Sequence, residues 1–331
     1  MKILVTGGLG FIGSNFIRYR INENPDDEII NVDKVTYASN PLNSDLQRYK
    51  NYTFIKADIS DYNAMRRLNK DVDCIVNFAA ESHVDNSIES ADQFIRSNVI
   101  GTHSLLKIAM DTGARFHHIS TDEVFGSLEL GSNNKFSEST PYNPRNPYSA
   151  TKASSDFLVR SFYNTYGVKA TISNCSNNYG PYQHPEKLIP KVILSALVNK
   201  TIPIYGAGNQ VRDWIHVKDH CTAISLIVDK GNPGKSYLIG GNCEYSNIEV
   251  VNKVLKLMKK RDNLIEYIKD RPGHDVRYAI ETSKSLIGMG WRKSVSFENG
   301  LTETINHYVA NREFYLNSEN WKHFWNDKRK H

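Results

Sequence analysis

Short apolar runs alternate with amphipathic stretches through the first half of the chain. Runs of this length, rich in β-branched and aromatic residues, are typical of buried parallel strands. They occur at residues 2–6, 29–33, 52–59, 74–80, 116–120 and 170–175. Apolar residues recur at helical spacing from about 92 to 112, and a second helix is predicted over 148–166. Strands that alternate with helices predict an α/β fold with a doubly wound parallel sheet, which binds ligands beyond the carboxyl ends of its strands.

The alternation ends after the last of these strands. Residues 176–182 have the composition of a loop, and further helices are predicted at residues 188–199, 247–260 and 297–311. We therefore expect a first domain over residues 1–176 and a smaller C-terminal lobe formed mainly by residues 177–331. The segment 217–230 is expected to pack back on the first domain. Ser, Asn, Gly and Pro are frequent in residues 128–147, which predicts a long loop and a candidate lid.

A glycine-rich loop joins the first strand to a helix. Residues 7–13 can be aligned as GxGxxG from Gly8 or as GxxGxxG from Gly7, and the helix is predicted to begin at Ser14. Glycines at such a turn allow the backbone to approach a pyrophosphate, whose charge the N-terminus of the helix receives. Either alignment alone also fits a glycine turn in an unrelated α/β protein. The strand before the loop and the helix after it favour a dinucleotide site of the Rossmann type.

Acidic and small residues at the ends of the next strands refine this site. Asp33 lies 20 residues after Gly13, where a carboxylate accepts hydrogen bonds from the adenosine ribose and repels a 2′-phosphate. The cofactor is therefore predicted to be NAD rather than NADP, although Lys34 next to this acid weakens the preference. Asp58 either meets the adenine edge or caps the following helix. The small residues at 79–80 allow the cofactor to lie close to the backbone.

The stretch that carries the chemistry follows the fifth strand. A hydroxyl and two carboxylates stand side by side there, in Thr121, Asp122 and Glu123. Tyr148 and Lys152 are four residues apart, so a helix presents both on one face. A phenol beside an ammonium group can act as a base near neutral pH, and a pair of carboxylic acids can supply one proton donor and one acceptor.

Charge and cysteine content narrow the compartment and the partners. The 331 residues carry 41 Lys and Arg against 36 Asp and Glu, a net charge of +5. Much of the excess is the tail 328–330, which a solvated terminus explains better than nucleic-acid binding. The four cysteines show no CxxC motif, as expected of free thiols in a reducing compartment. With no room for a signal peptide before the first strand and no apolar run of ~20 residues, we expect a cytoplasmic protein that binds neither membranes nor nucleic acid.

Histidines and arginines offer weaker candidates for ligand binding. His216 and His220 stand at i, i+4, but no Glu follows the first His as it does in an HExxH zinc site. A structural role explains their spacing better, and we expect no metal ion. Arg212 and Arg271 are candidates for a diphosphate, because a guanidinium binds such a group with two parallel hydrogen bonds. The turn at 270–274 is otherwise expected to be an exposed loop.

Two sets of residues carry a resemblance to a known family. Thr6-Gly7 with Gly10 and Gly13, together with Tyr148 and Lys152, resemble the extended short-chain dehydrogenase/reductases. Within them the chain is similar to the dTDP-glucose 4,6-dehydratases over residues 79–85, 120–126, 148–156, 174–190 and 270–275. The resemblance runs across nearly the whole chain, and the Thr-Asp-Glu triplet narrows it to hexose 4,6-dehydration.

This resemblance implies two binding sites and a homodimer. The NAD site would be lined by Gly7, Gly10, Phe11, Ile12, Gly13, Asp33, Lys34, Asp58, Ile59, Ala79, Ala80, Ser82, Ser97, Tyr148, Lys152 and Asn178. The sugar nucleotide dTDP-glucose would be held by Ser82, Thr121, Asn177, Lys187, Leu188, Pro203, Ile204, Tyr205, Arg212, Asn247, Asp270, Arg271, Pro272, Gly273 and His274. Members of the family are usually dimeric, through helices like those predicted at 92–112 and 148–166.

The reaction implied by the resemblance converts dTDP-glucose to dTDP-4-keto-6-deoxyglucose and water, with NAD as a recycled hydride carrier. Tyr148 would take the C4 hydroxyl proton while hydride leaves C4, and Lys152 would lower the pKa of this phenol. Glu123 would remove the C5 proton that the new ketone acidifies, Asp122 would protonate the departing C6 hydroxyl, and hydride would return to C6. Thr121 would hydrogen-bond the sugar.

Some features depart from the family pattern, and other functions fit part of it. Asn86 stands where the family usually has Arg, Ser39 replaces a usual Gly, and the loop 128–147 is shorter than in many members. A sugar-nucleotide 4-epimerase would share the fold, NAD and the Tyr–Lys pair but would not need Asp122 and Glu123. A dehydratase for a UDP, CDP or GDP sugar would keep that acid pair. A non-catalytic NAD-binding regulator would not need the catalytic set.

Overall fold

A computed structural model describes residues 1–68, 71–270 and 272–317 of the chain. The strands of this part are β1 (Lys2–Thr6), β2 (Glu28–Asp33), β3 (Tyr52–Lys56), β4 (Cys74–Asn77), β5 (Arg115–Thr121), β6 (Ala170–Cys175), β7 (Asn177–Tyr179), β8 (Ile202–Tyr205), β9 (Val211–His216), β10 (Ser236–Ile239), β11 (Glu244–Ser246) and β12 (Ile265–Ile268). Its α-helices are α1 (Phe11–Glu23), α2 (Tyr62–Leu68), α3 (Val84–Glu89), α4 (Asp92–Phe94), α5 (Gly101–Thr112), α6 (Pro147–Tyr166), α7 (Leu188–Leu197), α8 (Val217–Lys230), α9 (Asn247–Leu257), α10 (Lys284–Gly288), α11 (Phe297–Ala310) and α12 (Arg312–Asn317).

A seven-stranded parallel sheet forms the centre of the molecule. Its strands lie in the order β10-β6-β5-β4-β1-β2-β3, and the pairings between them are parallel. The order reverses between β1 and β4, as it does in dinucleotide-binding sheets. The predicted doubly wound α/β fold is therefore confirmed, and β10 adds a strand that the apolar pattern did not predict.

Helices cover both faces of this sheet because its strands alternate side chains between two apolar layers. Ile3 and Val5 pack with residues of α1 and α8 on one face. Leu4 packs with residues of α5 and α6 on the other. Burial on both faces accounts for the continuous apolar runs in the sequence. Because both faces are covered, polar groups lie instead at the edge formed by the carboxyl ends of the strands.

A smaller group of strands and helices stands beyond that edge. β7, β9 and β11 form a three-stranded sheet, and β8 pairs with β12. α7, α9 and α11 supply most of an apolar cluster that covers these strands. The chain returns to the central sheet between these elements, since α8 contacts α1 and β10 pairs with β6. The division of the chain at residues 176 and 177 stays a prediction.

The boundaries of several elements differ from the sequence-based expectation. The predicted strands 52–59 and 74–80 end at Lys56 and Asn77, because the residues after these points leave the sheet to line a cavity. The helix predicted at 92–112 contains a π-helical segment, Ile95–Ile100, between α4 and α5. Of the helices in the described residues, none is both long enough and apolar enough to cross a membrane.

Candidate active site

A cavity opens at the carboxyl ends of the central strands. It is lined by all of the residues predicted to bind the cofactor and by all five predicted catalytic residues. Of the residues predicted for the sugar nucleotide, it is lined by Ser82, Thr121, Asn177 and Lys187. The structure thus brings the glycine loop, the acid pair and the tyrosine–lysine pair to one place.

The glycine loop after β1 approaches the end of β4 so closely that a side chain would not fit. Gly7 has a φ of +71°, and a Cβ atom on it would lie 2.7 Å from the Cα atom of Ala79. A Cβ atom on Gly13 would lie 2.5 Å from the carbonyl oxygen of Gly7. Since Gly7 lines the cavity and Gly8 is not among the described lining residues, the alignment that begins at Gly7 is the one the structure supports.

The carboxylate of Asp33 is held firmly at the wall of the cavity. Its Oδ2 atom accepts a hydrogen bond from the backbone N–H of Leu9 at 3.0 Å. Its Oδ1 atom accepts from the N–H of Val35 at 2.8 Å and from the hydroxyl of Ser39 at 3.1 Å. Ser39, which departs from the family pattern, therefore helps to orient the acid that is predicted to select NAD.

Asp58 is not the residue that caps the following helix. Asp61 accepts a hydrogen bond from the N–H of Ala64 at 3.0 Å at the start of α2. Asp58 lines the cavity instead, and its Oδ2 atom lies 2.9 Å from Nζ of Lys34. Burial raises the pKa of Asp58, but Lys34 and hydrogen bonds from Ser60 outweigh it and lower the pKa overall. The helix-cap alternative is therefore wrong, and a contact with adenine stays a prediction.

The acid pair lies in a short 3-10 helix, Asp122–Phe125, that follows β5. The hydroxyl of Thr121 starts this turn by accepting a hydrogen bond from the N–H of Glu123. Asp122 is buried, and its Oδ2 atom has no hydrogen-bond donor among the described residues. Burial, then the charge of Glu123, raises the pKa of Asp122 well above its usual value. Asp122 is therefore suited to hold a proton at neutral pH and to donate it.

Tyr148 stands in the first turn of α6. The helix begins with a capping box between Asn146 and Ser149, which fixes the phenol at the cavity wall. Burial and then the charge of Glu123 raise the pKa of Tyr148 well above its usual value of 10, although a hydrogen bond with Thr121 lowers it in part. This direction differs from the expected lowering by Lys152. The physical reason is that the phenol is out of water and faces a carboxylate.

Lys152 lies one turn further along the same helix. Its Nζ atom donates to the carbonyl oxygen of Ile119 at 2.6 Å and lies 3.3 Å from Nε2 of His118. Burial lowers the pKa of Lys152 to about 8, although Asp156 opposes the shift. Its proton is therefore more easily lost than that of a lysine in water.

Other residues predicted for the sugar nucleotide form a separate cluster. Tyr205 donates to Asp85 at 3.2 Å and contacts the ring of His274. Asp270 contacts His274 at 2.6 Å, so these two side chains hold each other in place. The predicted residues that are not among the described lining residues of the cavity are Leu188, Pro203, Ile204, Tyr205, Arg212, Asn247, Asp270, Pro272, Gly273 and His274. Arg271 lies outside the described residues.

Arg212 is buried away from water rather than held on the surface. Its guanidinium lies over the ring of Tyr278, 4.3 Å from the ring centroid. It donates to the carbonyl oxygen of Asp275 at 2.9 Å. It also lowers the pKa of Asp122, against the larger effects of burial and Glu123. The guanidinium of Arg212 therefore contacts Tyr278 and Asp275 and also acts on Asp122 through its charge.

Several cavity-lining residues were not predicted from the sequence. They include Thr36, Ser39, Glu81, Gln183, His184 and Glu186. His184 and Glu186 contact each other at 3.5 Å next to Lys187. Their signal in the sequence is the mixture of Gly, Pro and polar residues that follows β7, a composition typical of a ligand-binding loop.

The two histidines considered for a metal have other partners. Nδ1 of His220 lies 2.9 Å from the amide oxygen of Asn178, and His216 packs against the ring of Tyr179. Within residues 1–68, 71–270 and 272–317, no group of three His, Cys, Asp or Glu side chains is arranged to hold a metal ion.

A dinucleotide-type glycine loop beside a buried tyrosine–lysine pair defines the class of this protein, an extended short-chain dehydrogenase/reductase. The sequence model of the family described as GDP-mannose 4,6 dehydratase matches residues 4–304. A dTDP-glucose 4,6-dehydratase from Haemophilus influenzae is 46% identical, with 94% of this chain and 98% of the relative aligned. The chain belongs to the family of dTDP-glucose 4,6-dehydratases.

Solved structures agree with this assignment. The structure of a dTDP-glucose 4,6-dehydratase from Streptomyces venezuelae with NAD bound matches with a TM-score of 0.92 at 42% identity, covering 96% of this chain and 99% of the other. A UDP-glucose 4-epimerase from Thermus thermophilus in complex with NAD matches with a TM-score of 0.86 at 25% identity, covering 93% and 99%. The fold is thus shared with epimerases, while the sequence is nearer to the dehydratase.

The close approach at Gly7 leads to a test of the cofactor site. We expect Gly7→Ala to lower the affinity for NAD at least about tenfold, because the new methyl group forces the loop away from Ala79 and out of reach of the pyrophosphate. Gly113→Ala is the matched control, since Gly113 also has a left-handed φ, +74°, but faces open space. Both variants should lose about 1 kcal/mol of stability from the strained backbone, and Gly7→Ala should lose more because its methyl group also clashes with Ala79. Titration calorimetry with NAD measures the difference, and equal affinities in the two variants would contradict the assignment.

Proposed function

We propose that this protein is a dTDP-glucose 4,6-dehydratase, which converts dTDP-glucose to dTDP-4-keto-6-deoxyglucose and water with NAD as its cofactor. The observation that carries the proposal is the position of Asp122. This acid is buried and has a raised pKa, and it stands between Thr121 and Glu123 in a cavity that Tyr148 also lines. A simple dehydrogenase or a 4-epimerase does not need a proton donor at this place.

The glycine loop and Asp33 are suited to hold NAD. The bare backbone at Gly7 leaves room for a pyrophosphate at the N-terminus of α1. The carboxylate of Asp33 stands at the cavity wall. There it would accept hydrogen bonds from the hydroxyl groups of the adenosine ribose and would repel a 2′-phosphate. Bound NAD would supply a hydride acceptor at C4, a hydride donor at C6 and a positive charge that lowers the pKa of Tyr148.

Tyr148 acts as the base for the C4 hydroxyl group. Its high pKa in the protein alone keeps it protonated, so the base forms only when a positive charge enters the cavity beside it. Lys152, with its ammonium group anchored on Ile119, contributes a second positive charge on the same helix face.

Asp122 and Glu123 divide the elimination of water. Once C4 is a ketone, Glu123 removes the acidified C5 proton, and Asp122 delivers its proton to the departing C6 hydroxyl. Their different environments support this division, because the buried Asp122 holds a proton that the charge of Glu123 helps to retain. Thr121 orients the sugar between them.

The nucleotide is assigned to the second lobe. Ser82, Asn177 and Lys187 would hold the sugar end in the cavity. The cluster of Tyr205, Asn247 and the turn at 270–274 would hold the nucleotide end. The identity of dTDP among the nucleotides rests on the family, and a dehydratase for a UDP, CDP or GDP sugar would share the catalytic set. Incubation with a panel of dTDP-, UDP-, CDP- and GDP-glucose separates these candidates.

The path of the hydride tests the whole mechanism. With one glycine loop, one tyrosine–lysine pair and one acid pair in the cavity, the hydrogen that leaves C4 must reappear at C6 of the same molecule. Substrate deuterated at C4 is mixed with substrate of heavy carbon skeleton and converted completely. We expect mass spectrometry to find deuterium only in product with the light skeleton. Deuterium shared between the two skeletons would overturn the single-site mechanism.

A run in heavy water provides the internal control for this experiment. The hydrogen gained at C5 passes through Glu123 and exchanges with solvent, so one deuterium is expected at C5 and none at C6. A deuterium at C6 would show that the hydride is lost to solvent.

Substitutions of the acid pair should separate oxidation from elimination. We expect Glu123→Gln to accumulate NADH after mixing with substrate, because C5 deprotonation follows the oxidation of C4. Asp122→Asn should slow turnover by about 10²-fold, and less when fluoride replaces the C6 hydroxyl, since fluoride leaves with less help from an acid. Stopped-flow absorbance measures both steps. Equal slowing of the natural and the 6-fluoro substrate would show that Asp122 is not the acid.

Apolar side chains on the outer faces of α5, α6 and the π-helical segment support a homodimer. They are Ile95, Ile100, Met110 and Phe157, all exposed in the single chain. Exposed apolar groups that share a surface are typical of a subunit interface. We expect Phe157→Glu to dissociate the dimer in sedimentation velocity. Leu130→Glu, at a similarly exposed position in the loop 128–147, should leave it intact, and a dimeric Phe157→Glu would exclude this interface.

We also infer that the protein works in the cytoplasm. Its four cysteines are free thiols, and Cys74, Cys175 and Cys221 are buried. Reduced, unpaired cysteines are typical of a reducing compartment. Cell fractionation followed by detection of the protein tests this inference.

A further inference from the structure

Behind the catalytic lysine lies a buried carboxylate that the proposed reaction does not use. Asp156 is one helical turn after Lys152 on α6, so the two side chains lie on the same face. Both are buried. The carboxylate of Asp156 raises the pKa of Lys152, and the ammonium group of Lys152 lowers that of Asp156, each against the larger effect of burial. Two opposite charges that are both out of water therefore stabilise each other.

The imidazole of His118 lies between these two groups. Its Nε2 atom is 3.3 Å from Nζ of Lys152 and 3.5 Å from Oδ1 of Asp156. Burial, and then the charge of Lys152, lowers the pKa of His118 well below its usual value. The ring is therefore neutral and adds no third charge to the pair. It fills the space behind the ammonium group, which donates its shortest hydrogen bond to Ile119.

Three donors hold the other oxygen of Asp156 in place. Oδ2 accepts hydrogen bonds from the hydroxyl of Ser120 at 2.8 Å, from that of Tyr142 at 2.8 Å and from the amide of Asn174 at 3.2 Å. Donors lower the pKa of a carboxyl group because they stabilise its charged form. These three donors fix the carboxylate next to His118, whose Nε2 atom also contacts Lys152.

We propose that Asp156, with His118 beside it, is a positioning residue that keeps Lys152 charged and directed into the cavity. This inference rests on the proposed function only for the predicted effect on the rate of NADH formation. The interaction of Asp156 with Lys152 does not depend on which reaction the protein catalyses. Asp156 does not line the cavity among the described residues, and so it acts through Lys152 rather than on the substrate.

The sign of the pH effect follows from the charges. Lys152 is an ammonium group below its pKa of about 8 and loses its proton above it. Removal of the negative charge at Asp156 disfavours the ammonium form and moves this loss to lower pH. Of the other titratable groups, His118 on β5 and Cys175 on β6 act on Lys152, and Tyr148 on α6 and Asp122 and Glu123 after β5 line the same cavity. Burial keeps Tyr148 and Cys175 protonated in the protein alone.

Asp156→Asn tests the proposal, because asparagine keeps the shape and an acceptor oxygen but removes the charge. In the NAD-loaded protein, we expect the alkaline limb of the pH profile of NADH formation to move down by about one unit. The dissociation constant for dTDP measured below pH 7 should stay within about twofold, because Asp156 has no contact with the cavity. An alkaline limb at the wild-type pH would overturn the proposal.

Asp219→Asn is the matched control. Asp219 is likewise fully buried and accepts hydrogen bonds from Ser294 at 2.9 and 2.6 Å and from Val295 at 3.0 Å. It lies on α8 and is not among the groups that shift the pKa of Lys152. This variant should lose stability like Asp156→Asn but keep the wild-type pH profile. If both variants move the limb equally, the shift reflects loosened packing and the proposal fails.

A direct titration separates this inference from the proposed function. Protein with ¹³C-labelled lysine side chains is titrated by NMR, with Lys152 assigned from its absence in Lys152→Met. The pKa of Lys152 should fall in Asp156→Asn whether or not the protein turns over dTDP-glucose. If wild-type protein shows no turnover but this fall is seen, the proposed function fails and the pairing holds. If turnover is normal and the pKa of Lys152 is unchanged, the pairing fails alone.

A second titration keeps the test open if Asp156→Asn does not fold. The carboxyl group of Asp156, ¹³C-labelled, is followed in wild-type protein and in Lys152→Met. Because the interaction is mutual, loss of the ammonium group should raise the pKa of Asp156 by about one unit. An unchanged pKa in Lys152→Met would contradict the pairing.

Discussion

The exclusion of water from the carboxyl ends of β5 and β6 is the constraint on which the site depends. Asp122, Lys152 and Asp156 are all buried there. An isolated ion out of water costs several kcal/mol, so each of these groups must hold a proton or find a charged partner. Asp122 holds a proton, since its pKa is raised. Lys152 and Asp156 instead serve as charged partners for each other. Burial therefore makes Asp122 a proton donor, and it leaves Lys152 a cation only below a pKa of about 8, which Asp156 helps to keep from falling further.

The geometry of the cofactor site depends on a second constraint, the close packing of two strand ends. β1 and β4 are neighbours in the sheet, and the loop after β1 passes over Ala79 with no space for a side chain at Gly7. The small residue after β4 is thus as necessary as the glycine. Asp33 also holds the glycine loop, because its carboxylate accepts a hydrogen bond from the N–H of Leu9. The acid that is predicted to bind the ribose therefore also fixes the loop that is predicted to bind the pyrophosphate.

Much of this could be predicted from the sequence because parallel strands leave long apolar runs and strand ends carry the chemistry. The first six strands of the sheet and the glycine loop followed from that pattern, whereas most of the predicted cavity-lining residues were implied by the resemblance to the family. β10 did not, because its apolar run is only residues 237–239 and is flanked by Gly, Pro and polar residues that are typical of a loop. The raised pKa of Tyr148 was missed because it depends on burial and on the facing Glu123, neither of which local sequence displays. The contact of Arg212 with Tyr278 was missed for the same reason, since it joins distant parts of the chain.

Helix α6 has two roles because its repeat of about 3.6 residues places some side chains on a buried face and others on an exposed face. Tyr148, Lys152 and Asp156 recur every four residues and share the buried face. Phe157 lies on the opposite, exposed face of the same helix. A capping box at Asn146 and Ser149 fixes its first turn, where Tyr148 stands. A partner subunit bound to the outer face of α6 would hold the helix on the side opposite to Tyr148 and Lys152. Because a helix moves as a rigid body, that contact would also affect the positions of these two side chains.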